Sequence, residues 1–160
     1  MASELDKNLI SEKTRSEMMR SVRSKDTKPE LLIRRQLHRL GYRYGLHDKR
    51  LPGSPDLVFT KRHKVIFVHG CFWHQHCECR HGHAPKSRLE YWTPKLQRNV
   101  ERDRTAVEQL DQMGWSALVV WECELESLEQ AVSRAVRFLD GPSVAKPSTG
   151  CVWQPEQAFS

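Results

Sequence analysis

"LPGSPDLVFTKRHKVIFVHG", residues 51–70, is the stretch that decides the fold. A turn rich in proline and glycine leads into a strand from about Asp56. A short polar turn follows, then a strongly β-branched strand that ends at His69. The stretch reads as a hairpin that carries Asp56 at one end and His69 at the other. Upstream, "TKPELLIRRQLHRLGY" opens with Thr27 as N-cap, Pro29 in the first turn and Glu30 three residues past the cap. It runs through Ile33, Leu37 and Leu40 to a stop at Gly41, which is a helix. Downstream, "LEYWTPKLQRNVERDRTAVEQLDQMGW" is a helix with Val100, Val107 and Leu110 inward and Gly114 as breaker. The strand "ALVVWEC" comes next, then a helix with Leu128, Ala131, Val132, Ala135, Val136 and Leu139 at helical spacing. These elements predict an α/β fold, a single domain with a central mixed β-sheet flanked by helices.

A chain of 160 residues, 38% hydrophobic and 29% charged, supports one core and not two. The domain is expected over residues 1–140, with a basic amphipathic helix at about 14–24 ("TRSEMMRSVRS") and a loose, flexible C-terminal tail over 141–160. No apolar run reaches the roughly 20 residues of a membrane span, and the first residues are too charged for a signal peptide, so a cytoplasmic location is expected. Five cysteines in such a chain point to reduced thiols and metal ligation rather than a disulfide framework. A formal charge of +6 and a pI near 9.2 suit a polyanion. The basic residues gather in "KTRSEMMRSVRSKDTK" and "KSRLEYWTPKLQR", while "ECELESLEQ" is acidic, which predicts one binding side.

Two clusters carry chemistry. A proline turn followed by a strand-starting aspartate is how many metal-dependent nucleases place the carboxylate that holds Mg²⁺, although "PD" is also an ordinary strand opening. In "CFWHQHCEC", residues 71–79, thiolates and imidazoles in a tight loop suit tetrahedral Zn²⁺, and a closed four-ligand site would be structural. The wedged "FW" pair has no place in a site that only holds metal.

With "HGCFWH", "RSKDTKPE", "LPGSPD", "RNVERDR" and "VVWEC" in order, the chain resembles the very short patch repair (Vsr) DNA mismatch endonucleases over residues 14–139. The resemblance implies a restriction-endonuclease-like core of PD-(D/E)xK type with a structural zinc site, although the usual Glu-x-Lys strand here reads "VIFVHGCFWH". It implies that Asp56 and the backbone carbonyl of Val68, where the family often has threonine, hold Mg²⁺. His74 would be the general base, Glu30 the carboxylate that orients it, and His69 a second active-site histidine. Read locally, Glu30 is a capping-box residue and His69 a polar strand end. The zinc ligands would be Cys71, His76, a cysteine soon after, and Cys123. Glu78 stands where the family commonly has its cysteine, so Cys79 is taken as the third ligand, with Cys77 or His81 as alternates.

Phe72, Trp73 and Trp92 would form a wedge that unstacks a mispaired step, while Arg98, Asn99, Arg102 and Arg104 contact phosphates or the mismatch edge. Locally the aromatics read as core and the arginines as a solvated face. The implied activity is strand-specific hydrolysis of a phosphodiester bond at T·G mismatches left by 5-methylcytosine deamination, which initiates very short patch repair. The implied partners are double-stranded DNA containing the mismatch, and mismatch-repair proteins, for a monomer of bacterial type associated with the nucleoid. Two other readings remain: a restriction-type Mg²⁺-dependent endonuclease of the same fold, and a non-catalytic zinc DNA-binding module.

Overall fold

The computed structural model describes residues 25–83 and 86–142; the basic helix expected at 14–24 and nearly all of the tail lie outside them. Helix α1 (Lys28–Arg39) begins as the sequence predicts. Thr27 is in an extended conformation and its Oγ1 accepts the Glu30 N–H at 3.4 Å, with Pro29 in the first turn. Ile33 and Leu37 are fully buried, but Leu40 is 58% exposed because the helix has already ended beneath it.

Among the described residues the sheet has four strands in the order β1 (Gly45–Leu46), β2 (Leu57–Phe59), β3 (Lys64–His69) and β4 (Ser116–Trp121). The predicted hairpin is β2–β3, antiparallel with Leu57 opposite Ile66, and its polar turn is a single 3₁₀ turn at Thr60–Arg62 closed by His63 in the left-handed region. Strand β1 adds antiparallel to β2, and β4 runs parallel to β3 with His69 beside Trp121. The sheet is therefore mixed, and the long helix α2 (Leu89–Gln112) makes the crossover that a parallel pair requires. Helix α3 (Leu128–Asp140) follows a 3₁₀ turn at Glu122–Ser127, so β4 ends at Trp121 and leaves Cys123 on that turn.

Alternation along β3 sends side chains to two apolar layers. Ile66 joins Ile33, Leu37, Leu57, Phe59, Leu118, Val120, Ala131, Ala135 and Leu139 beneath α1 and α3. Val65 and Phe67 join Leu51, Val58 and Leu110 on the α2 side. Along α2 the fully buried positions are Leu96, Ala106 and Leu110, while the expected Val100 and Val107 are only half-buried. Lys64 is buried at the foot of β3, where its Nζ donates to the carbonyls of Phe138, Leu139 and Gly141 at 2.7, 3.1 and 2.6 Å and so neutralises the end of α3. No helix among the described residues is long and apolar enough to cross a membrane.

Candidate functional site

The α2 face of the hairpin opens into a cleft of about 790 Å³ whose walls include Asp56, Val68, His69, Trp73 and His74. Register explains the convergence. Asp56 immediately precedes β2 and His69 ends β3, so both lie at one edge of the sheet. Asp56 Oδ2 accepts the Val68 N–H at 2.7 Å, which fixes the carboxylate against the β3 backbone that carries the Val68 carbonyl. Burial, with a further push from the charge of Glu30, raises Asp56 from the ordinary 3.8 to about 6, against the lowering effect of the Val68 hydrogen bond. A buried carboxylate so poorly served by its surroundings is a fit for a divalent cation, and its hard oxygens suit Mg²⁺ chemistry.

His69 and His74 stack face to face, their centroids 3.8 Å apart and the rings 8° from parallel. Burial, then the proximity of His74, pushes His69 down to about 3, so it is a neutral imidazole at physiological pH. Nδ1 of His74 is hydrogen-bonded to the carboxylate of Asp103 on α2. Sequence reasoning assigned that orienting part to Glu30, and here the structure departs from it. Glu30 is 1% exposed, and its Oε1 lies 3.0 Å from Arg34 Nη1 and 3.0 Å from His47 Nε2. Asp103 was overlooked although it stands in the quoted "RNVERDR". The available signal was its i, i+4 spacing from Asn99, which places both on one helix face. His47 was also missed, and its Nδ1 lies 3.7 Å from Asp56 Oδ1.

Asn99 donates from Nδ2 to the Trp73 carbonyl at 3.2 Å, so one face of α2 grips the two consecutive loop residues Trp73 and His74. Phe72, Trp73 and Trp92 are half-buried and belong to neither core layer. Their rings meet edge-on or tilted, with centroids 5.1 Å (Phe72–Trp73), 5.4 Å (Phe72–Trp92) and 6.1 Å (Trp73–Trp92) apart. Lys95 Nζ sits 5.6–5.7 Å from the ring centroids of Trp73, Tyr91 and Trp92. Arg98 and Arg102 are exposed, Arg102 on the cleft wall, and Arg104 pairs with Glu108.

Behind the His74 side chain the sulfurs of Cys71, Cys79 and Cys123 and a ring nitrogen of His76 lie within 4.8 Å of one another. His76 Nδ1 is 3.8 Å from Cys71 Sγ and 3.3 Å from Cys123 Sγ. Tetrahedral zinc with ordinary bond lengths separates sulfur from nitrogen by about 3.6 Å, so the donor set fits that ion. Burial, then the neighbouring thiols Cys71 and Cys79, drives Cys123 up to about 12, and burial also raises Cys71. A cation at the centre would remove this penalty on crowded thiolates. The backbone N–H of His81 bonds the Cys79 sulfur and lowers its pKa. His81 contributes backbone rather than imidazole, and its side chain is outside the cluster. Cys77 is also outside it and exposed. The fold keeps the loop tight through Gly82, where a Cβ would come within 2.0 Å of the His76 carbonyl oxygen. His76 also stacks on Trp121 at 4.2 Å, which ties the loop to β4.

The family described as DNA mismatch endonuclease Vsr matches residues 7–81. The chain is 50% identical over 131 residues to the type II nicking enzyme V.XorIIP of Xanthomonas oryzae pv. oryzae, covering 82% of this chain and 96% of that protein. It is 44% identical over 126 residues to the type II nicking enzyme V.NmeAIP of Neisseria meningitidis, covering 77% and 89%. To the DNA mismatch endonuclease Vsr of Escherichia coli it is 41% identical over 123 residues, covering 77% and 78%.

Proposed function

The chain belongs to the Vsr family of DNA mismatch endonucleases, and on that premise we propose that it nicks one strand of duplex DNA at T·G mismatches, the pairs left when 5-methylcytosine deaminates. The observation that carries the chemistry is the convergence of Asp56, His69 and the His74–Asp103 pair in one cleft beside a half-buried aromatic face.

Asp56 and the Val68 carbonyl would hold Mg²⁺. When bound there, the ion would neutralise charge on the phosphate and the departing oxygen. With Nδ1 committed to Asp103, His74 offers Nε2 to take the proton of the attacking water, and the carboxylate stabilises the imidazolium that results. His69, neutral and stacked beneath His74, exchanges hydrogen bonds with phosphate or water without adding a charge that would oppose protonation of its neighbour. Cys71, His76, Cys79 and Cys123 would hold a structural Zn²⁺ that fixes the loop. Phe72, Trp73 and Trp92, braced by Asn99, are suited to enter the base stack where a mispaired step resists least, and Arg98 and Arg102 to meet phosphates. The sheet edge that carries Asp56 supports a restriction-endonuclease-like core. The enzyme would act as a monomer on DNA in a bacterial cytoplasm.

The test is a nicking assay on one labelled duplex carrying T·G, its T·A-matched control, and the same duplex with other mismatches. Mg²⁺-dependent nicking of one strand, confined to the T·G duplex, is expected. Equal cutting of the matched duplex in both strands would replace this reading with a restriction-type enzyme, and mismatch binding without cleavage would leave only a zinc DNA-binding module.

A further inference from the structure

His47 stands in the cleft without a part in the chemistry assigned to Asp56, His69 and His74. It follows the last residue of β1, and the Leu46–Leu57 pairing places it against Asp56, whose carbonyl accepts the His47 N–H at 3.4 Å. Its backbone is in the left-handed region at φ 48°, a conformation that a non-glycine residue adopts only where its surroundings hold it. That turn carries the imidazole inward, to 14% exposure.

The ring lies among three carboxylates, Glu30, Asp56 and Asp26, an oxygen of Asp26 lying within 4.8 Å of both the His47 and the Glu30 donor atoms. Nε2 is 3.0 Å from Glu30 Oε1, out of line for a hydrogen bond and without any other partner among the described residues, and Nδ1 is 3.7 Å from Asp56 Oδ1. The other oxygen of Asp56 is fixed by the Val68 N–H. So one end of the Asp56 carboxylate is set by β3, and the other, Oδ1, lies 3.7 Å from the His47 ring at the cleft. Glu30 is itself locked by Arg34 at 3.0 Å, so the ring has a rigid backstop.

We propose that His47 is a positioning residue for Asp56: its ring, facing Glu30 from one nitrogen and Asp56 from the other, sets the carboxylate rotation at which a divalent cation is bound. The inference rests on the reading of Asp56 as a metal ligand. Groups that orient a metal-binding side chain act on metal affinity without touching substrate.

The experiment measures Mn²⁺ binding by calorimetry to the full-length, zinc-loaded protein without DNA, for wild type, His47→Ala, His47→Gln and Asp56→Ala. His47→Ala should weaken Mn²⁺ binding about 10-fold, while His47→Gln, which keeps a polar group of similar reach, should stay within about threefold of wild type. In nicking assays, the Mg²⁺ concentration for half-maximal rate should rise by a similar factor of about 10 in His47→Ala, with the rate at saturating Mg²⁺ and the KM for mismatched duplex nearly unchanged. A lower melting temperature with unaltered Mn²⁺ affinity would reduce His47 to packing and overturn the proposal. A rate that stays low at saturating Mg²⁺ would place His47 in the chemical step and overturn it too. If Asp56→Ala binds Mn²⁺ as wild type does, the metal-ligand reading fails. If Asp56→Ala loses Mn²⁺ and His47→Ala does not, only the positioning role fails.

Discussion

Nδ1 of His74 is bonded to the carboxylate of Asp103, and one turn earlier on the same helix Asn99 holds the carbonyl of Trp73. The helix thereby sets both the tautomer of the imidazole and the position of its loop. Asp103→Asn keeps the size and removes the charge, so nicking should fall by roughly 10²-fold or more while mismatch binding and melting temperature change little. Single-turnover rates against binding measured by fluorescence anisotropy check this. A rate within twofold of wild type would show that another group governs His74.

Asp56 should make the metal-free protein less stable at alkaline pH. Its pKa rises from 3.8 to about 6 through burial first, so between about pH 4 and 6 the folded chain binds more protons than the unfolded one. The resulting penalty is fully present above pH 6 and is relieved as pH falls towards 4. Asp56→Asn removes the charged form, and in the absence of divalent cations it should melt several degrees above wild type at pH 8, with the gap closing by pH 4. Equal gaps at both pH values would disprove the linkage. The same variant should be inactive, since an amide is a poor substitute for a metal-binding carboxylate.

Zinc content separates the candidate ligands. Purified protein should carry about one Zn²⁺ per chain, and Cys79→Ser should lose it and melt lower, because the loop folds around the ion. Cys77→Ser and His81→Ala should retain zinc. Gly82→Ala should fail as Cys79→Ser does, since its methyl would collide with the His76 backbone. Elemental analysis with thermal melting decides, and zinc retained by Cys79→Ser would move the third ligand elsewhere.

Trp73→Ala tests the aromatic face. The ring lies outside both core layers, so its loss should weaken binding to mismatched DNA more than to matched DNA. The dependence of log affinity on log salt should keep its slope, because phosphate contacts are untouched. A buried Trp would instead cost roughly 3–5 kcal/mol of stability on truncation. A large drop in melting temperature, with both duplexes affected alike, would make it a packing residue.

What the sequence determined by itself was short in range. Thr27, Pro29 and Glu30 specify the start of α1 because an N-cap acts over a single turn. The β2–β3 hairpin follows from β-branched runs around a polar turn, and it brings Asp56 and His69 to one edge with no help from the rest of the chain. The metal-binding character of residues 71–79 follows from thiol and imidazole chemistry alone. Tertiary structure decided whatever depends on how separate elements meet. Which carboxylate reaches His74 is set by the phase of α2 against the sheet, and that phase selects Asp103 over Glu30. Cys123 completes the Cys/His cluster because β4 lies parallel to β3 and delivers the following turn beside the loop. Cys79 is chosen over Cys77 because only its sulfur turns inward, and periodicity does not report the direction of a side chain in an irregular loop. His47 was invisible for the same reason: its inward turn depends on a left-handed backbone and a two-residue strand that pairs only once β2 is in place.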